Sequence, residues 1–224
     1  MNETNAADAT PAKQGRVGRH KLRKARARGV TEGLCAELNE PSIVVDCGAN
    51  VGAVTGPLAR SGAKVIAFEP DKIAYAALVE APADMPNVEL HQAAVGLEEG
   101  EIMLYHAEKF ETDPLAATVS SSVMTGKRGQ SEENAIKVQQ VDLLAFLKGL
   151  IKKHGRVDFL KLDIEGSELD LLPALADAGI LDDIRYVAVE THERKFPEQR
   201  RQFLAMRRKI EKNFKRRHVN LNWI

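Results

Sequence analysis

The chain has 224 residues, 44% of them hydrophobic, with 32 Lys/Arg balanced by 32 Asp/Glu. That is enough apolar material for one α/β domain with a sizeable core. No apolar run has membrane-spanning length, no hydrophobic leader opens the chain, and two cysteines, Cys35 and Cys47, make no disulfide framework, so a cytoplasmic protein is expected.

The charge is unevenly spread. Residues 1–30 carry eight Lys/Arg against Glu3 and Asp8, and residues 194–217 carry eleven against Glu198 and Glu211, which leaves the body between them acidic. Residues 1–30 hold almost no large apolar side chains and read as a basic tail, loosely helical or disordered, ahead of a domain over 31–224. Thr31 to Asn39, with Leu34, Cys35 and Leu38 on one face, predicts a short helix that stops before Pro41.

Ser42 to Pro70 predicts a βαβ unit. Ile43-Val44-Val45 is an apolar β-branched strand, Gly48, Asn50 and Gly52 make a turn, Val51 to Arg60 forms a helix, and Val65 to Phe68 is a second buried strand. Asp46 and Glu69 end the two strands, at the carboxyl edge where open α/β sheets bind ligands. The spacing Gly48-x-x-x-Gly52-x-x-x-Gly56 is not the G-x-G-x-x-G of a dinucleotide turn, and a carboxylate at Asp46 would repel a pyrophosphate. It suits a cationic amine, such as the amino-acid end of S-adenosylmethionine, while Glu69 accepts hydrogen bonds from ribose hydroxyls. A nicotinamide-dependent oxidoreductase is disfavoured on the same grounds.

Asp71 is placed to cap a helix through Tyr75 and Leu78, Val88 to Gln92 alternates as a third strand, and Gly96 to Glu101 turns into an antiparallel strand, Ile102 to Tyr105, added at the sheet edge. His106 to Glu133 is the least regular stretch, and Ile136 to Val141 alternates again, with Asp142 capping a helix over Leu143 to Lys153. Val157 to Asp163 is a buried strand followed by Ile-Glu-Gly-Ser-Glu, with Ser167 as cap of a helix through Leu169, Leu172 and Leu175. Ile184 to Val189 is the next strand and Glu190-Thr-His192 its mouth. Beyond it, Glu198 to about Lys215 predicts a basic helix with an apolar stripe of Phe203, Leu204, Met206 and Ile210, and His218 to Ile224 a last antiparallel strand.

Asp-Cys-Gly-Ala-Asn-Val-Gly from Asp46, Phe68-Glu-Pro, Ala94-Val-Gly, Phe159-Leu-Lys-Leu-Asp-Ile-Glu-Gly-Ser-Glu168 and Val189-Glu-Thr-His192 together resemble the FkbM-type methyltransferases over roughly Ser42 to His192. The resemblance implies a Rossmann-like, doubly wound, mostly parallel sheet of the seven-stranded class I methyltransferase type. It implies S-adenosylmethionine as cofactor, held by Asp46, Gly48, Ala49, Asn50, Gly52, Glu69 and Pro70, with Gln92 and Ala93 beside the adenine. It implies O-methylation of a small-molecule acceptor, a sugar or glycosylated compound. His192 is the expected base, since its ordinary titration lies closest to neutrality, with Asp163 and Glu165 as its carboxylate partners. In the loop before residue 133, Ser121 or Ser122 could touch donor or acceptor, or the serine run could be turn chemistry alone. The carboxylates Asp163, Glu165 and Glu190 also have the composition of a divalent-ion site, but carboxylates at strand ends are common without metal and none is expected. Two other readings stay open: an RNA or other nucleic-acid methyltransferase recruited by the basic ends, and a binding module that keeps the nucleotide pocket without turnover.

Overall fold

The computed structural model describes residues 16–80, 84–107, 118, 121–127 and 129–223. The first fifteen residues of the basic tail and most of the irregular stretch before residue 121 lie outside them. Helix α1 (Arg16–Glu37) leads into β1 (Ile43–Cys47), α2 (Thr55–Arg60), β2 (Lys64–Phe68), α3 (Lys72–Glu80) and β3 (Val88–His91). Then come β4 (Ala94–Gly96), β5 (Gly100–Ala107), β6 (Gln130–Asp142), α4 (Leu143–His154) and β7 (Val157–Leu162). Helix α5 (Glu168–Asp177), β8 (Ile184–Val189), α6 (Arg200–Asn213) and β9 (Val219–Asn220) complete the chain.

The main sheet has six strands in the order β3-β2-β1-β7-β8-β9, every pair parallel. All five residues of β1 and all six of β7 are buried, as parallel strands covered on both faces require. On one face Leu147, Leu172, Leu175, Phe203 and Ile210 of α4, α5 and α6 pack against Val45, Leu160 and Val187. On the other, Leu38, Leu58 and Trp223 pack against Val44, Val65 and Phe159, joined by Ala27, Val30 and Leu34 of α1. The sheet is therefore doubly wound, as the sequence implies, and among the described residues no helix is long and apolar enough to cross a membrane.

Four expectations change. Helix α1 runs through much of the basic stretch as one helix, because Ala27, Val30 and Leu34 anchor its second half while residues 21–26 stay exposed. Helix α2 begins at Thr55 rather than Val51, since Gly52 takes a φ of 83°, outside helical geometry. The hairpin strand β5 joins no edge of the main sheet; it pairs antiparallel with β6, and β6 pairs parallel with β4, in a separate three-stranded sheet. The C-terminal strand β9 is parallel to β8, not antiparallel, because α6 returns the chain across the sheet before it pairs. The main sheet thus has six strands where the class I pattern suggests seven. Asp71 and Asp142 cap α3 and α4 as predicted, accepting from Ile73 and Ala145 backbone N–H groups, while the Ser167 side chain makes no capping bond.

The loop after β1 is pressed against the end of β7. Gly48 has a φ of 77°, and a Cβ there would lie 1.8 Å from the Asp163 carbonyl oxygen. Gly48→Ala is therefore expected to cost well over 1 kcal/mol, the scale for Ala forced to positive φ before any clash, read as a lower midpoint in urea unfolding with the slope unchanged.

Candidate active site

A cleft of about 110 Å3 opens at the carboxyl ends of β1, β2 and β7, and the small sheet closes one side of it. Of the predicted donor residues, Gly48, Asn50, Glu69, Pro70 and Ala93 line it, with Phe68, Val95 and Leu104 supplying apolar wall. Asp163 and Glu165 line it too, with Thr118, Ser121 and Ser122.

Glu69 is almost fully buried, and its carboxylate is held from both sides. One oxygen accepts from the Asn50 N–H at 2.8 Å and the other from the Asp71 N–H at 2.9 Å. Burial pushes its pKa up to about 7, against the lowering effect of those two backbone bonds; the Asp71 charge raises it further and Lys161 lowers it. Asp71 also receives the His106 ring at 2.6 Å, which ties β5 to the start of α3. Burial raises the Asp71 pKa, but the His106 bond together with those from the Ala74 and Ile73 N–H groups outweighs that and holds it below the ordinary carboxylate range.

Asp46 is not on the cleft wall. It lies fully buried under the turn, accepting from Thr55 Oγ1 at 2.8 Å and from Lys161 Nζ at 3.0 Å. Lys161 stands directly opposite Asp46 in the β1–β7 register and also donates to the Gly48 carbonyl at 2.8 Å. Burial would lower the lysine's pKa, but the charges of Asp46 and Asp163 outweigh it and keep the ammonium ion. Strand alternation places Lys161 on this side; that it answers Asp46 more closely than Asp163, which is 3.8 Å away, comes from the register. Ala49 packs against Ala67, Gln92 is exposed, and Gly52 donates within the turn to the Ala49 carbonyl, so none of these three lines the cleft.

His192 lies behind the cleft wall. Its Nδ1 pairs with Glu168 Oε1 at 2.8 Å, the same oxygen that accepts its backbone N–H at 2.9 Å, while Glu168 Oε2 accepts from the Gly166 N–H. Its Nε2 faces Glu165 at 3.4 Å, Asp163 at 3.7 Å and Glu190 at 3.9 Å and makes no hydrogen bond. Burial lowers the His192 pKa, but the charges of Glu168 and Glu165 lift it to about 9. Burial raises the carboxyls of Asp163 and Glu190, the latter to about 7. Glu165 goes the other way: burial is outweighed by His192, Lys127 and Lys195, whose ammonium groups lie within 2.8 and 2.7 Å of it. Ser122 Oγ donates to the Glu165 carbonyl, and Ser122 bridges to Tyr105, so this serine shapes the wall.

The sequence reading brings Asp163, Glu165 and His192 together correctly as neighbours but misses Glu168, Lys127 and Lys195. Glu168 reads as an ordinary acid in the first turn of a helix, and its spacing from Asp163 and Glu165 along one short segment is the only signal of its role. Cys47 is fully buried, and burial, with Asp46 adjoining, drives its thiol far above the ordinary range, so it acts as a small apolar residue and not as a nucleophile.

Residues 46–217 match the family described as the methyltransferase FkbM domain. A methyltransferase 1 of Beauveria bassiana is 26% identical over 154 residues, 63% of this chain and 61% of that protein, so the chain spans about three fifths of the length of this relative. The ribosomal RNA small subunit methyltransferase A of Thermotoga maritima is 46% identical over 55 residues, 25% of this chain and 20% of that one. A putative RNA methyltransferase from Pyrococcus horikoshii superposes over 81% of this chain and 63% of its own, with a TM-score of 0.34 and 15% identity. Coclaurine N-methyltransferase bound to N-methylheliamine and SAH superposes over 36% of this chain and 37% of its own, with a TM-score of 0.27 and 15% identity.

The Asp46–Lys161 pair makes a separable prediction. Asp46→Ala leaves an uncompensated buried ammonium and is expected to destabilise the fold by about 3–5 kcal/mol, whereas Asp46→Asn, which keeps one oxygen to accept from Lys161 and can donate its NH2 to the Thr55 hydroxyl, costs less. Denaturant melts of the two variants give the comparison; equal stability to the parent would mean the pair carries no structural role.

Proposed function

The chain belongs to the FkbM methyltransferase family, and from that membership we propose that it transfers a methyl group from S-adenosylmethionine to a hydroxyl on a sugar or glycosylated small molecule. The observation that carries the reading is Glu69, a buried strand-end carboxylate fixed by two backbone N–H groups and facing the cleft, with a lone pair left on each oxygen for a pair of vicinal hydroxyls. Phe68, Ala93, Val95 and Leu104 offer the apolar contact a purine needs, and Asn50 and Gly48 bring backbone close to the ligand. When bound, the donor supplies a methyl carbon activated by a sulfonium.

The chain's own work is to orient the acceptor and remove its proton. Asp163 faces the cleft with its carboxyl pKa raised by burial, which makes it the better-placed proton acceptor. His192, fixed in orientation by Glu168, stands 3.7 Å behind it to stabilise the resulting charge distribution, and Glu165 is anchored in place by Lys127 and Lys195. In this arrangement His192 acts through Asp163.

A second reading, an RNA acceptor, draws on α1, where Lys21, Arg23, Lys24 and Arg26 are exposed along one helix. Salt-sensitive RNA binding that falls when these four are changed to Glu, with methyl incorporation into RNA, would favour it. Donor binding without transfer to any hydroxyl or RNA pool would instead mark a binding module.

Calorimetric titration with S-adenosylhomocysteine is expected to show one site per chain, with NAD silent in parallel. Glu69→Ala should weaken that binding by about 1–3 kcal/mol, the cost of removing a charged hydrogen-bond partner. The ionised form of Glu69 is the one that accepts both hydroxyls, so affinity is expected to be full above its pKa of about 7 and to fall as pH drops through that value. In Glu69→Gln the slope should vanish; the same slope in that variant would assign it to another group. His192→Gln, which keeps a donor toward Glu168, should slow methyl transfer at least tenfold while leaving S-adenosylhomocysteine affinity within twofold. Loss of both together would make His192 part of the donor site.

A further inference from the structure

We infer that a divalent cation of the Mn2+ class binds between His192 Nε2, Asp163 and Glu165, at the acceptor end of the cleft, with Glu190 beside it. The inference rests on the reading above for its role, not for its existence. Three observations point to it. The first is an atom without a partner: the His192 side chain is 1% exposed, its Nδ1 is engaged by Glu168, and its Nε2 lies 3.4 to 3.9 Å from three carboxylates without making a hydrogen bond. Buried ring nitrogens are seldom left this way.

The second is spacing. One donor atom from each of Asp163, Glu165 and His192 lies within 4.8 Å of the others, and Nε2 is 3.4 and 3.7 Å from the two carboxylates. Donors at about 2.1 Å from one octahedral ion are separated by about 3 Å when adjacent and about 4.2 Å when opposite. The group is therefore already spread to that size, too wide for direct hydrogen bonds and right for an intervening ion.

The third is charge. Asp163, Glu165, Glu168 and Glu190 place four carboxylates around one imidazole. Lys161 is paired with Asp46 and lies 3.8 Å from Asp163, and among the described residues Lys127 and Lys195 are the other cations beside them, so the carboxylates outnumber the cations. A divalent ion balances that excess and uses the Nε2 lone pair. Lys195 is 37% exposed and can swing toward water to free a Glu165 oxygen.

One imidazole among carboxylates suits a borderline ion such as Mn2+ better than Mg2+, which prefers oxygen throughout, or Zn2+, which favours more nitrogen or sulfur. The Glu168–His192 bond is then the outer contact that fixes the tautomer of a metal-ligating histidine, with Nδ1 donating and Nε2 free. An ion here would take one or two hydroxyl oxygens of the acceptor and polarise the one that reacts, so that Asp163 has an easier proton to remove. That favours acceptors with vicinal oxygens, such as sugars or catechols.

The test uses the full chain stripped of metal and titrated with Mn2+, following loss of the free-ion electron paramagnetic resonance signal, with S-adenosylhomocysteine binding measured on the same samples. One site per chain is expected, weakened at least tenfold in Asp163→Asn and in His192→Gln, and tightened in Lys195→Met. Nitrogen modulation of the bound Mn2+ signal should be present in the parent and absent in His192→Gln, which a merely structural histidine would not produce. No saturable site, or one indifferent to Asp163→Asn and His192→Gln, overturns the inference. If S-adenosylhomocysteine binds while Mn2+ does not, the metal site alone fails; if neither binds to the folded chain, the methyltransferase reading fails with it.

Discussion

The buried pair between Lys161 and Asp46 is the interaction on which the cleft depends. Two side chains that begin on neighbouring strands 115 residues apart meet with almost no solvent, and the lysine spends its remaining donors on the Cys47 and Gly48 carbonyls. A buried ion pair contributes little net stability when compared with apolar residues of the same size, but breaking it costs much, so its effect is to fix one register and one turn conformation. The backbone that carries Gly48 and Asn50 to the ligand is held from below by this ammonium. The close approach of Gly48 to the Asp163 carbonyl follows, and with it the relative positions of the two ends of the cleft.

A second network fixes the other wall. Glu69 accepts from the Asp71 N–H, and the Asp71 side chain both caps α3 and grips His106 of β5. The small sheet is thereby joined to the strand end that carries Glu69, and Ser122, bridged to Tyr105, continues the same wall to Glu165. Burial acts to raise Glu69, Glu190 and Glu165 alike, but Glu165 ends below its ordinary range because His192 and two ammonium groups lie close to it. Neighbouring carboxylates thus differ in charge preference through their partners.

Strands β1, β2, β7 and β8 were legible because each is an apolar run bounded by turn residues, and strand-end carboxylates follow from that placement alone. The partners of those carboxylates were not. That Asp46 meets Lys161 depends on the register of two strands far apart in sequence, and alternation gives only the face. The parallel pairing of β9 could not be read from a two-residue strand, which has no period, and the separate sheet could not be read because β5 and β6 each alternate as well as any edge strand would. His192 was found through its place at a strand mouth, whereas Glu168, which orients it, looks like any acid at a helix start.

The charge at the mouth bears on what can enter it. Among the described residues no Lys or Arg lines the cleft: Lys161 lies beneath it on Asp46, and Lys127 and Lys195 are turned onto Glu165. Carboxylates at the cleft, Asp163 and Glu165, disfavour phosphate there and leave neutral hydroxyls unaffected. A phosphate-rich acceptor would have to bring its reactive hydroxyl past these carboxylates, gaining its affinity from α1 and other basic surface outside the cleft. A neutral polyol meets no such barrier, and its oxygens can replace water around the carboxylates and any ion they hold. The basic surface of α1 and the carboxylates at the cleft thus differ in the charge they attract.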